Sequence, residues 1–436
     1  MKIRYIVILI LGGILYTIGL LGLARVISTN PARGEELFGS VITNMVVDIG
    51  DIPGNIRSYF SKPNFFIADS LNGDGFTYFS DNISTYSKLL VSYKTDSFDS
   101  KIQLLDIKTG ALIKEWTPNS KQITALSFNE DNPMSFEKGS DLHYSYPLLL
   151  KDSSVVFNTN YSLVKINKNS EVEWVNNAIN AHHSIEMDAG GDIYISARNF
   201  LAGNYDFLPS NSEAYQKSLH DEAIMKIDAS TGEILYDKSI IEILVENGYE
   251  SLMYAGGHLL SDPIHLNDVQ PALRKGRFWD QGDLLISCRN LSLVFLYRPS
   301  TNSVLWKQQG PWKGQHDANF HGDKWVTVFG NDVIVDSPSG KIFQKGHHLL
   351  RGFNEIYKYD LEKDSLTTPF TNLMQKENIK TPSRGKGTLL PNGDIFIEET
   401  DNGRIIFGDS IKKKILFVRR IDSDHISSLN WSRIID

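Results

Sequence analysis

Three histidines and an arginine, His183, His265, His316 and Arg384, each stand ahead of a short strand-like run, a Gly-Asp turn and a second strand-like run. The turns are Gly191-Asp192, Gly282-Asp283, Gly322-Asp323 and Gly393-Asp394, so one structural unit recurs with its leading residue in the same place. If such units surround a common axis, the leading residues converge on one pocket. Imidazole serves there as nucleophile or base, and guanidinium neutralises oxygens, a combination suited to moving a tetrahedral anionic group.

The elements that must position these residues are strands. Apolar alternation in short runs fills the chain, as in residues 88–93 and 101–106, and long amphipathic helices are scarce. A hairpin signature returns at 106–116, 165–174, 226–236, 297–306 and, more loosely, 357–366: a strand, a polar turn rich in Thr, Ser, Gly or Asn, then a second strand often ending in an aromatic residue. A spacing of roughly 60 residues suits four-stranded blades with variable loops. Six units follow, at about 83–118, 143–176, 183–240, 265–308, 316–370 and 384–420. The expected fold is all-β, a six-bladed β-propeller whose ring closure leaves only short protected edges. Residues ahead of the innermost strands then meet at one mouth of the channel.

Residues 5–24 are almost wholly apolar, and 20 helical residues at about 1.5 Å rise span the roughly 30 Å hydrocarbon layer. Lys2 and Arg4 before the run and Arg25 after it fit a signal anchor with a cytoplasmic N-terminus, and no A-x-A-like cleavage site follows. The expected layout is a transmembrane helix over 1–26, a membrane-proximal linker over 27–75 and a propeller over 76–436. The propeller then lies in the periplasm or outside. A net charge of −8 without a Lys/Arg-rich run argues against a nucleic-acid partner. The single cysteine, Cys288, excludes an intrachain disulfide and is expected to be a buried strand thiol.

The segment Ala181-His182-His183-Ser184 opens the third unit, His265-Leu266-Asn267-Asp268-Val269 the fourth, with Ser287-Cys288-Arg289 inside it, and Gln315-His316-Asp317 the fifth. In that order they resemble the HHD-like, HxN-V, S-x-R and QHD-like elements of the bacterial arylsulfotransferase family, over about residues 140–420. The resemblance implies a six-bladed propeller that passes a sulfuryl group from an aryl sulfate to a phenolic or other hydroxyl acceptor through a transiently sulfurylated histidine, with no nucleotide donor. By motif position the nucleophile is His316, and His265, Arg289 and His183 gather around the sulfuryl group. His182, Asn267 and Arg384 are the expected substrate-binding residues. Ser184 stands where the family has Asp, which implies a His183 ring without a carboxylate to orient it.

No cofactor and no metal are expected, since the pair His347-His348 has no further ligands nearby in the sequence. The competing reading is a non-catalytic envelope propeller that binds or scaffolds, its histidines retained as packing elements.

Overall fold

Glycine in the left-handed region makes each of the four Gly-Asp turns, with φ of 97° at Gly191, 89° at Gly282, 65° at Gly322 and 86° at Gly393. The outer hairpins turn differently. Asp228 Oδ1 accepts the backbone N–H groups of Ser230 at 2.7 Å and Thr231 at 3.1 Å, the side-chain-to-backbone bond that makes Asp a turn former. A computed structural model describes residues 12–13, 66–68, 73–81, 86–96, 99–130, 143–199, 219–254, 260–335 and 347–435. Residues Phe65–Asp436 form one compact unit.

These hairpins assemble into six antiparallel sheets, the blades of a propeller. Blade 1 contains Lys88–Lys94, Ser100–Asp106 and Leu112–Trp116; blade 2 contains Ser145–Leu149, Val155–Asn158, Leu163–Ile166 and Val172–Asn176. Blade 3 runs Asn180–Met187, Ile193–Asn199, Asp221–Ile227 and Ile234–Ser239; blade 4 runs Leu266–Pro271, Leu284–Cys288, Leu293–Arg298 and Ser303–Gln309. Blade 5 is Asp317–His321, Trp325–Gly330, Glu355–Asp360 and Ser365–Thr367; blade 6 is Lys386–Leu389, Ile395–Glu399, Arg404–Gly408 and Lys413–Val418.

Closure is made twice, by strands from opposite ends of the unit. Arg433–Ile435 pairs with Lys88–Leu90 and becomes the innermost strand of blade 1. Gly75–Tyr78 pairs with Ile415–Val418 and becomes the outermost strand of blade 6. Phe66–Ala68 further pairs with His425–Ser427. The segment before residue 76 therefore contributes Phe66–Ala68, paired with His425–Ser427, and the first residue of the blade 6 edge strand, while the first repeat borrows its inner strand from Arg433–Ile435.

The hydrophobic core lies between blades. In blade 4 the second strand, Leu284–Cys288, is buried throughout, Cys288 included, whereas the outer strand Ser303–Gln309 is nowhere fully buried. A strand covered on both faces by neighbouring sheets reads as a continuous apolar run, and an outer strand does not need to. Each interface between successive blades has its own cluster. Phe157 and Trp116 join blades 2 and 1, Ile286 and Phe295 pack on Ile224 between blades 4 and 3, and Phe396, Phe407 and Phe417 pack on Leu89 and Val91 where blade 6 meets blade 1.

The apolar run at residues 5–24 lies outside the described residues, apart from Gly12 and Gly13. Among the described residues, no helix is long and apolar enough to cross a membrane. The described α-helices are short, at Ser120–Ser127, Ile240–Glu246 and Thr371–Lys376.

Candidate active site

The backbone that presents the leading residues repeats from blade to blade. Tyr146, His183, His265, Arg384 and Trp431 all have positive φ, between 50° and 63°. The left-handed region costs a non-glycine residue about 1–2 kcal/mol, so its recurrence in or just before five innermost strands needs compensation. In blade 5 Gly314 takes the positive φ of 63°, and His316, two residues on, keeps an ordinary backbone.

Compensation comes from polar side chains that staple neighbouring blades together. Asn158 Nδ2 donates to the His183 carbonyl at 2.7 Å, Asn267 Nδ2 to the Gln315 carbonyl at 2.6 Å, and Asn331 Nδ2 to the Arg384 carbonyl at 2.7 Å. In the other direction Ser184 Oγ accepts the Val269 N–H at 3.0 Å, Asp268 Oδ2 the Ala318 N–H at 3.0 Å, and Asp317 Oδ2 the Gly387 N–H at 2.9 Å. Ser184 thus does for blades 3 and 4 what Asp268 and Asp317 do for the next two joints. The position faces the neighbouring backbone, so serine there does not deprive the His183 ring of its orientation. Asn267 is fully buried, with its amide on the neighbouring blade.

His183, His265, His316 and His182 come together. His183 Nε2 lies 3.2 Å from His265 Nε2, and its ring centroid is 5.8 Å from that of His316 and 4.8 Å from that of His182. His265 Nδ1 faces Asp262 Oδ2 at 2.6 Å, and Asp262 Oδ1 also accepts the His265 backbone N–H. An ionised carboxylate only accepts, so Nδ1 of His265 carries the proton and its Nε2 offers a lone pair. His183 must then donate from Nε2, which leaves its Nδ1 to accept from the Tyr146 hydroxyl at 3.1 Å. Burial raises the pKa of that phenol, so it keeps its proton. Tyr146, His183, His265 and Asp262 form one continuous relay.

His316 is 2% exposed and held from both sides. Asn331 has its Nδ2 committed to two carbonyls, Thr381 and Arg384, so its Oδ1 faces His316 Nδ1 at 2.8 Å. The Gly314 carbonyl accepts from the same nitrogen at 3.0 Å. With two acceptors at Nδ1 the proton sits there, and Nε2 is bare. That lone pair accepts the Arg384 backbone N–H at 3.1 Å. Burial, aided by the Arg289 guanidinium, lowers the His316 pKa to about 3, and burial also holds His183 well below the usual imidazole range. Both rings are neutral at physiological pH.

Arg289 is half-buried beside this cluster. Its backbone N–H donates to the His265 carbonyl, its Nη1 to Asn290 Oδ1 at 3.1 Å, and Asn290 Nδ2 reaches back to the Asp262 carbonyl. Gly314 lies beside the guanidinium, where its positive φ of 63° rather than lack of space calls for glycine. Arg384 contributes its backbone to His316, while its guanidinium bonds Asn430 Oδ1 at 2.7 Å and lies 3.4 Å from Asp401 Oδ1.

Sequence reasoning missed Tyr146, Asp262, Asn331 and Glu222. Tyr146 had a signal, since aligning the second unit on the third sets it opposite His183. Asp262 had a weaker one, an acidic residue three positions before a histidine. Asn331 and Glu222 had none. Among the described residues Glu222, Asp262 and His265 are the set with metal-ligand proximity, their donor atoms within 4.8 Å of one another.

The family profile described as Arylsulfotransferase (ASST) matches residues 146–420. No curated protein matches the chain. Among solved structures, a protein of unknown function from Bacteroides caccae is 13% identical, with TM-score 0.47, over 79% of this chain and 98% of that one. A chain of a nidogen/laminin complex is 8% identical, with TM-score 0.40, over 79% and 97%; Kuenenia stuttgartiensis hydrazine synthase is 8% identical, with TM-score 0.40, over 71% and 70%. At these scores they bear on neither fold nor chemistry, and the propeller rests on the strand pairing itself.

Proposed function

Because this chain belongs to the arylsulfotransferase family, we propose that it moves a sulfuryl group from an aryl sulfate to a hydroxyl acceptor through a sulfohistidine on His316. The observation that carries this reading is the state of His316: neutral, with Nδ1–H fixed by Asn331 and Gly314 and an unprotonated Nε2 beside the His183 ring. A neutral imidazole with a committed Nδ1–H is the form that attacks sulfur.

In the first step His316 Nε2 forms a bond to sulfur as the bond from sulfur to the phenolic oxygen breaks. The phenol leaves as phenolate and takes its proton from solvent, since the neutral His183 ring holds no proton acidic enough to give it. In the second step the acceptor hydroxyl gives its proton to the His183–His265 pair, whose imidazolium Asp262 stabilises, and attacks sulfur; the bond to Nε2 breaks with the electron pair restored to the imidazole, and the pair then releases its proton to solvent. In this reading Arg289, whose charge acts on His316, neutralises the equatorial oxygens, an interaction strong in a water-poor, preorganised site. His182 packs on His183, the Arg384 backbone bonds His316, and Asn267 supports the motif by holding blade 5.

The same proposal has the propeller tethered to the bacterial cytoplasmic membrane by residues 5–24 and exposed on the periplasmic or outer side, supported by the length and apolarity of that run. One observation favours the alternative, a non-catalytic envelope module. His316 Nε2 accepts the Arg384 backbone N–H at 3.1 Å, so attack requires the Arg384 segment to yield that bond.

The test is exposure of the purified chain to a reactive aryl sulfate. Sulfohistidine chemistry gives a burst of phenol and a mass gain of one sulfuryl group, and His316→Asn removes both. A wild type inert across diverse donors supports the scaffold, and an undiminished burst in the His316 variant excludes this nucleophile.

A further inference from the structure

We propose that Glu222, His182, Asp262 and His265 form a binding site for a divalent transition-metal ion of the zinc type. Donor atoms of Glu222, Asp262 and His265 lie within 4.8 Å of one another, and His182 Nε2 lies 2.7 Å from Glu222 Oε2. The four residues come from three places. His182 is on the first strand of blade 3 and Glu222 on its third, while Asp262 and His265 precede blade 4.

A second observation points to a ligand. Glu222 is 0% exposed and His182 5%, yet Glu222 Oε2 and both ring nitrogens of His182 make no hydrogen bond among the described residues. Their 2.7 Å approach is a charge contact that falls outside hydrogen-bond geometry. A buried carboxylate oxygen and imidazole without an aligned hydrogen bond are costly, and a cation between them satisfies both. Arg198 Nε answers only the other oxygen of Glu222, at 3.2 Å.

The donor set suits zinc. Two imidazoles and two carboxylates make a four-coordinate nitrogen and oxygen site, and bonds of about 2.0–2.1 Å in a tetrahedron place neighbouring donors roughly 3.3 Å apart. The 2.6 and 2.7 Å pairs need to open slightly and the wider separations to close. Two carboxylates balance the charge of a divalent ion, so Arg198 keeps its partner without repelling an excess charge.

The site also acts on the relay. The His265 nitrogen beside Asp262 is Nδ1, and a metal there replaces its proton. Nε2 then carries the hydrogen and donates to His183, which turns its own hydrogen bond with Tyr146 around. Loading therefore decides which nitrogen of His183 is the donor. The metal site itself does not depend on sulfuryl transfer, since occupancy is measured without an aryl sulfate.

The test uses the untagged full chain, stripped with a chelator and titrated with zinc chloride by calorimetry, with metal content measured after gel filtration. One zinc per chain is expected. Glu222→Gln and Asp262→Asn should each weaken binding at least tenfold, while Asp422→Asn at the surface His425–Asp422 pair leaves it unchanged. Thermal melts of the stripped proteins separate misfolding from loss of a ligand. Cobalt chloride in the wild type should give the intense visible bands of tetrahedral coordination, a readout independent of any variant. Substoichiometric zinc in the wild type, a six-coordinate cobalt spectrum, or unchanged affinity in folded Glu222→Gln overturns the proposal.

Discussion

His183 Nε2 and His265 Nε2 face each other at 3.2 Å, two imidazoles from adjacent blades with one proton between them. Asp262 at the far side of His265 and Tyr146 at the far side of His183 decide which ring holds it. Several consequences are measurable.

Tyr146→Phe keeps the ring packed at 4.9 Å on Trp431 and deletes only the hydroxyl that donates to His183 Nδ1. Stability should fall by about 1 kcal/mol, the usual net worth of one hydrogen bond. If His183 passes the proton, turnover with an aryl sulfate drops by roughly tenfold or more and KM hardly moves. Steady-state kinetics beside a denaturant titration distinguishes this from a purely structural role, in which stability changes and turnover does not.

The pKa of His316 falls from an ordinary value of 6.5 to about 3 on folding, because burial and Arg289 disfavour the imidazolium. Between those two values the unfolded chain binds the extra proton and the folded chain does not, so stability falls as pH is lowered through that window. His316→Asn removes this contribution. Unfolding curves from pH 7 down to 4 should show the wild type losing stability more steeply than the variant, and parallel slopes would refute the neutral, buried assignment.

Asp268 titrates the other way. Burial, with Asp317 and Glu186 nearby, raises its carboxyl well above the usual range, so its favourable contribution is lost as pH rises through the folded pKa. Asp268→Asn retains an acceptor for the Ala318 N–H and has no charge to bury, so it should gain on the wild type as pH rises from 4 to 8. Asp268→Ala leaves that N–H unpaired and should cost about 1–3 kcal/mol at every pH. Thermal melts across that range test both signs.

Truncation after Asn430 removes Arg433–Ile435, the innermost strand of blade 1, along with the buried Trp431. The first blade then exposes the edge of Lys88–Lys94. The shortened chain should lose cooperative unfolding and aggregate, as an unpaired apolar strand edge does. A monodisperse, cooperatively melting product would mean that this closure contributes little.

The sequence by itself determined the all-β class, the six repeats and the gathering of His183, His265 and His316, because these depend on short-range signals. Gly-Asp turns require a left-handed glycine, hairpin turns require Asp or Asn beside the strand, and both are legible within ten residues. What only the tertiary structure decided is which atoms face which. Tyr146 meets His183 across 37 residues and His183 meets His265 across 82, and the Arg384 backbone reaches His316 across 68. Glu222 joins Asp262 and His265 from a different blade. No local pattern encodes such contacts. They arise when the ring closes through Arg433–Ile435 and Gly75–Tyr78 and fixes the angle between successive blades, and with it the tautomer, charge and partners of each imidazole.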